Sequence, residues 1–251
     1  MERKIKTLIP VFLFFAVWET VARLPSVPHY LFPPFSKVII KLLEEIAKGD
    51  LVKNTFITLY RVGIGFFAGT ITGIVLGLAS GISEKLNETI SPIVALLYPI
   101  PSIGWIPVLM VWFGISDAVP IIAIFICSFF PIYMNAVRGV KSVDSNVINA
   151  ARTMGANKLT LIKNVILPLS MPNIFTGLKI ESGMSLRTGV VAEMLAIPSG
   201  LGYMLMKGES LIDVKLMFAV LLSIALISVI IDFGVKFLEK KVLIWQNSAS
   251  K

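Results

Sequence analysis

Val147-Ile148-Asn149-Ala150-Ala151-Arg152-Thr153-Met154-Gly155, followed at a fixed interval by Val165-Ile166-Leu167-Pro168, is the stretch that decides how the rest of the chain is read. It is polar and basic, and it lies between two long apolar runs. From Arg138 to Lys163 the bases Arg138, Lys141, Arg152, Lys158 and Lys163 face a single acid, Asp144. Such an excess of Lys and Arg in a short loop marks the cytoplasmic side of a membrane protein. Val147, Ile148, Ala151 and Met154 recur at helical period. Gly155 supplies the left-handed residue that commonly ends a helix. A second helical stretch comes next, with Leu159, Ile162 and Ile166 on one face. Pro168 is placed to open the next helix, because proline is tolerated in a first turn. The paired alanines predict a low, flat helix surface over which the groove of a soluble partner can close.

Outward from this loop the chain is membrane-like. Of its 251 residues 56% are hydrophobic and the mean hydropathy is +0.85. Soluble domains average about 45–50% apolar, so the excess calls for a bilayer. Apolar segments predict six spans, near residues 7–23, 56–82, 89–116, 118–137, 168–192 and 216–237. Each approaches the length of about 20 residues that crosses the hydrocarbon layer. They must be helices, because backbone groups in lipid have to bond internally. The net charge of +8 sits in loops and ends rather than in a stripe with interleaved aromatics, which argues against nucleic-acid binding. Met1–Lys6, the 138–163 loop and the tail with Lys236, Lys240, Lys241 and Lys251 are basic, so both termini are expected in the cytoplasm. The 24–55 segment should then lie outside, although it carries Lys37, Lys41, Lys48 and Lys53. Within it Ser36 is positioned to cap an amphipathic helix running to Lys48, with Val38, Ile39, Leu42, Leu43 and Ile46 along one side.

The single cysteine, Cys127, lies in an apolar run and reads as a small packing residue; the single histidine, His29, lies in a proline-rich loop. An internal disulfide is impossible, and no Cys/His metal set can be assembled. A glycine-rich loop ending in Lys and Ser/Thr, which would cradle phosphates, is missing, and so is a catalytic triad.

Three features inside the spans carry mechanism. Gly65, Gly69, Gly73, Gly77 and Gly81 recur every four residues in the second span. They predict a groove for close helix packing within the subunit, or a surface along which a helix slides. Pro99, Pro101 and Pro107 interrupt the third span. Broken helices at membrane depth line a water-filled route or are buried in protein, and a merely kinked packing helix is the alternative. The fifth span holds Arg187, an intramembrane charge and therefore a functional candidate. Its guanidinium fork suits a sulfonate, nitrate or carboxylate. An ion pair with Glu181 or with an acid on another helix is the competing reading, though helical spacing does not put Glu181 and Arg187 on one face.

The opening stretch resembles the "EAA" loop of ABC-transporter permeases: Glu-Ala-Ala, three residues, Gly, nine residues, then Ile-x-Leu-Pro. Ala150, Ala151, Gly155, Leu167 and Pro168 match, Val165 replaces Ile, and Asn149 stands where Glu is usual. Pro99-Ile100-Pro101, Pro107 to Gly114, Ala192-Glu193 and Gly200-Leu201-Gly202 resemble permeases of the nitrate, sulfonate, taurine and bicarbonate importer group. The resemblance implies an all-α integral membrane protein with six transmembrane helices, in the type I ABC importer (MetI-like) fold with a cytoplasmic coupling helix. Residues 1–55 would form an N-terminal transmembrane helix and an external amphipathic helix. Residues 56–251 would form the importer transmembrane domain, with the coupling loop at 138–167. Asn149, Ala150, Ala151, Gly155, Leu167 and Pro168 would meet the ATPase; Pro99, Pro101, Pro107 and Arg187 would line the route. The chain would be a non-catalytic subunit binding no cofactor or metal, with ATP and Mg on a partner. Its expected partners are a cytoplasmic ABC ATPase dimer, a second permease copy, an extracytoplasmic solute-binding protein and the lipid bilayer, in the plasma membrane of a prokaryote. An ATPase-independent secondary transporter or channel is the alternative, and an intramembrane enzyme is a third reading, for which the spans lack clustered His, Asp or Ser.

Overall fold

A computed structural model of the chain describes residues 2–243, so Met1 and Lys251, both counted among the basic ends, lie outside the described residues. Among the described residues there is no strand. The helices are α1 (Glu2–Ala22), α2 (Phe35–Ala47), α3 (Asp50–Ile82), α4 (Glu84–Leu97), α5 (Ile106–Phe113), α6 (Ala118–Lys141), α7 (Ser145–Thr153), α8 (Lys158–Leu161), α9 (Leu167–Ala196), α10 (Leu201–Ser210) and α11 (Val214–Val242). Among the described residues four helices are long and apolar enough to cross a bilayer: α3, α6, α11 and the continuous run Lys158–Ala196. The pair Glu84–Leu97 and Ser102–Phe113 is apolar enough to be a fifth, broken span or a re-entrant loop, and is bent by 85°. The apolar part of α1 among the described residues, Phe12–Ala22, is shorter. Because α3 begins at Asp50, residues 50–55 ride on the same helix as the second span.

The chain divides into two compact units, Met1–Thr58 with Pro198–Ile227, and Leu59–Ile197 with Ser228–Lys251. In the first unit α1 and α2 are stitched by aromatic packing and by a borrowed cap. Trp18 packs against Phe15, Phe32, Phe35 and Phe218, and its indole N–H donates to the Pro33 carbonyl at 3.0 Å. Ser36 does not cap α2, contrary to the expectation from sequence. The helix already starts at Phe35, and Pro34 at the cap position makes no side-chain bond. Ser36 instead donates its N–H and hydroxyl to the Glu19 carboxylate, at 3.0 and 2.9 Å. An acid on α1 therefore satisfies the free first turn of α2, where an anion also meets the positive helix end. The start of α10 is capped in the same borrowed way: Asn54 accepts the Gly200 N–H at 2.7 Å and Thr58 the Leu201 N–H at 2.9 Å. Gly200 sits at φ 99°, which explains the first glycine of Gly200-Leu201-Gly202.

The second unit is organised around α6, which has α3 on one side and α9 on another. A Cβ placed on Gly65, Gly69, Gly73, Gly77 or Gly81 would meet α6 at 2.6 to 3.0 Å. All five glycines thus face α6 at backbone-to-backbone distance. Without a hydrophobic driving force between helices in lipid, this close van der Waals contact is what holds the pair together. Helix α9 closes on α6 through Gly139, which faces the Ser170 carbonyl, and through a buried Ser128–Ser185 hydrogen bond of 2.8 Å.

A candidate translocation site and coupling loop

The break in the third span comes from Pro99 and Pro101, which lie between α4 and a 3-10 turn at Ser102–Trp105. Pro107 plays a different part from the one expected. It falls in the first turn of α5, where a missing N–H costs no intrahelical bond, so it opens a helix rather than breaking one. The bend opens a cavity of about 570 Å³, lined by Pro99, Pro101 and Ser102 from the break, Cys127 and Phe130 from α6, and Glu181, Arg187 and Thr188 from α9. That volume lies within the usual range for small-molecule sites, about 300–1,000 Å³. The cavity brings together Pro99, Pro101 and Arg187; Pro107 is not among its lining residues.

One wall carries a continuous polar chain. The Ser102 and Thr188 hydroxyls are 3.4 Å apart, the Thr188 hydroxyl donates to Cys127 Sγ at 3.3 Å, and the Cys127 thiol reaches Glu181 Oε2 at 3.6 Å. Cys127 is therefore not a mere packing residue. Its position midway along an apolar run hid the polar face that it shares with α9. Glu181 and Arg187 do not pair with each other. Arg187 is exposed, and it meets the Met184 sulfur at 3.7 Å. Glu181 is only 5% exposed and meets no cation within ion-pair distance among the described residues.

Sequence reasoning missed a second charged cluster. Arg61, on α3, is 3% exposed; it donates to Glu193 Oε1 at 2.8 Å and, through Nε and Nη2, to Asp117 Oδ1 at 3.0 and 2.6 Å. The network ties α3 to the start of α6 and the end of α9. A lone arginine one residue before the uncharged run that starts at Val62 was the available signal.

The basic loop folds as two short helices and a turn. Asp144 caps α7 by accepting the Asn146 N–H at 2.8 Å. At its far end Ala156 N–H bonds the Ala151 carbonyl at 3.0 Å and Gly155 N–H bonds the Arg152 carbonyl at 2.9 Å, with Gly155 at φ 86°. That is the two-bond helix ending for which glycine is suited. The apolar stripe divides between two surfaces. Ile148 and Ala151 pack on a cluster built from Val140, Leu161 and Ile166, whereas Val147 is 43% and Met154 88% exposed. The alanines divide as well: Ala150 is exposed and Ala151 faces its own chain, so the flat surface is made by Asn149, Ala150 and Met154. Leu159 does not share a face with Ile162 and Ile166; it is 74% exposed. A π-turn at Ile162–Ile166 inserts an extra residue into the helical winding and shifts the phase of the residues after it. Leu167 and Pro168 open α9.

The family model described as "Binding-protein-dependent transport system inner membrane component" matches residues 69–244. A Methanocaldococcus jannaschii protein named as an ABC transporter permease is 33% identical, over 98% of this chain and 93% of its own. The taurine transport system permease protein of Escherichia coli K12 is 32% identical, over 92% of this chain and 86% of its own. The MetNI methionine ABC transporter, in an inward facing conformation, shares the fold with a TM-score of 0.69 at 21% identity, over 79% of this chain and 98% of that one. With its apolar helices, its proline-broken cavity and its exposed basic loop, this multi-pass membrane chain belongs to the family of binding-protein-dependent transport system inner membrane components, the permease subunits of ABC importers.

Proposed function

We propose that this chain is the pathway-forming subunit of an importer that moves a small anion or sulfonate-like solute, such as nitrate, a sulfonate, taurine or bicarbonate, across the plasma membrane of a prokaryote. The observation that carries the reading is the cavity at the proline break, with Arg187 exposed on its wall. The complex comprises two copies of this chain, a cytoplasmic ATPase dimer holding ATP and Mg, and a solute-binding protein outside. The helices of one chain are few to enclose a gated route, and closed two-fold symmetry is the commonest assembly. Both termini and the 138–167 loop face the cytoplasm, α2 lies along the outer surface, and residues 56–251 form the transport domain. ATP binding draws the coupling loops together and opens the cavity outward; hydrolysis resets it.

The face offered to the ATPase is Asn149, Ala150 and Met154. Asn149 keeps a hydrogen-bonding side chain where the family loop carries a carboxylate, and so asks less of a cationic partner residue. Ala150→Arg buries a charge at a flat contact and leaves the chain's own cluster untouched. It is expected to abolish stimulation of ATP hydrolysis by the loaded binding protein while membrane insertion stays normal. Unchanged stimulation in reconstituted vesicles would remove this loop from the coupling role.

A further inference from the structure

The proposed pathway holds an acidic and a basic side chain that do not pair with each other. Glu181 is nearly buried, faces the cavity, and has the Cys127 thiol as its polar contact. Arg187 lines the same cavity and has no carboxylate partner among the described residues. A second, smaller cleft also borders Arg187 and includes Asp232, but Asp232 is paired with Lys236. Two other charged residues on the long helices of this unit are paired. Arg61 takes Glu193 and Asp117, and Lys179 takes Glu239. A carboxylate taken out of water without a counter-charge is costly, and the cost is relieved when a cation joins it.

Resting on the pathway reading above, we infer that the solute carries both charges: the cavity takes a small zwitterion, its ammonium directed to Glu181 and its sulfonate or carboxylate to the fork of Arg187. A simple anion such as nitrate or bicarbonate answers only Arg187 and leaves Glu181 without a counter-charge. A zwitterion satisfies both. The two residues are six apart on α9, or about 9 Å along the helix axis at 1.5 Å per residue. Two flexible side chains can close that interval around a molecule whose charges are separated by two or three carbons. The Thr188 and Ser102 hydroxyls, joined to Cys127 on the same wall, add neutral hydrogen-bonding groups between the two ends.

The chain's only cysteine makes the test independent of the natural solute. Cys127 Sγ is 3.6 Å from the Glu181 carboxylate, so its rate of reaction with small methanethiosulfonates reads occupancy beside Glu181. The complete complex in proteoliposomes is treated with cationic and anionic reagents of similar size. Each is used alone and with taurine or β-alanine, with ethanesulfonate or propionate, and with ethylamine. The two zwitterions are expected to slow Cys127 modification several-fold, and the singly charged molecules are expected to leave it near its free rate. The cationic reagent should outpace the anionic one, and Glu181→Gln should erase both that preference and the protection by zwitterions. Arg187→Gln should erase the protection alone. Equal protection by singly charged molecules, no protection by zwitterions, or an unaltered Glu181→Gln profile overturns the zwitterion and leaves the pathway standing. If Cys127 reacts with no reagent in any nucleotide state, the cavity is not a water-filled route, and the pathway reading falls with the inference. Should either variant fail to assemble, the wild-type panel decides alone.

Discussion

Single residues account for how charge is tolerated in this chain. Arg61 is buried between a nearly inaccessible Glu193 and a half-open Asp117. Its loss takes the ion-pair partner from the buried Glu193, and breaking such a pair typically costs about 3–5 kcal/mol. Arg61→Ala should therefore lower the detergent-solubilised unfolding temperature sharply. Arg61→Ala combined with Glu193→Gln should recover a good part of the loss. No recovery in the double variant would show that the pair is not what the arginine supplies. Arg187 and Glu181 show what can be read from sequence at this scale. An intramembrane arginine is conspicuous by composition, and it does lie on the cavity wall. Glu181 was visible only as a possible partner for it. Its place in the cavity depends on the bend at Pro99 and Pro101, a tertiary feature that spacing along α9 does not encode.

At the scale of elements, glycine and proline positions were the most legible features, and the winding of the basic loop the least. The every-fourth-residue glycines of α3 meet α6 along their whole length. A methyl group on Gly77 would lie 2.7 Å from the Tyr133 carbonyl and 2.6 Å from the Ala136 methyl. Gly63, on the same helix, has open space. Gly77→Ala should therefore destabilise by about 1–3 kcal/mol, the usual cost of overpacking. Gly63→Ala should be neutral or stabilising by up to about 1 kcal/mol, through helix propensity. Comparable thermal shifts for the two variants would show that the α3–α6 seam is not tightly closed. The loop helices were also legible in kind, but their facing was not. A π-turn at Ile162–Ile166 leaves no mark on apolar periodicity except a break in it, so the phase of Ile166 relative to Leu159 could not be read from spacing. Ser36 was misjudged for a related reason: the capping acid, Glu19, lies on another helix, beyond the reach of any local motif.

A polar latch at the start of α11 gives the first unit a pH dependence. Lys41 reaches Asp213 Oδ2 at 3.0 Å and Glu45 Oε1 at 3.3 Å. Burial alone would raise the Asp213 carboxyl, but hydrogen bonds from Lys41 and the Leu216 N–H, with the charges of Lys41 and Lys215, hold it below its ordinary value of 3.8. Burial likewise opposes the Lys41 shift and is outweighed by Asp213 and Glu45, so the lysine titrates above its ordinary 10.5. A depressed acid contributes stability above its unfolded value and loses it as pH falls through the folded one. The latch should therefore hold from neutral pH down to about pH 4 and weaken below it, with proteolysis of the α10–α11 turn rising there. Asp213→Asn should abolish that acid step. An unaltered acid step would assign it to another carboxylate.

For the whole molecule, family membership and the apolar helices fix a membrane permease, and the exposed basic loop is the proposed contact with the ATPase. Met154, 88% exposed at the end of α7, stands at the centre of the proposed contact. The most direct test places a single thiol there, Met154→Cys in a Cys127→Ser background, and treats membranes holding the whole complex with a short bifunctional thiol–amine reagent. A covalent product between this chain and its ATPase is the expected result. The product should change in yield when ATP is added, and the intact assembly should weigh as two permease and two ATPase chains. A thiol at 154 that labels freely, in every nucleotide state, and never joins an ATPase would contradict the coupling role, and would leave a permease whose cytoplasmic loop has no motor to meet.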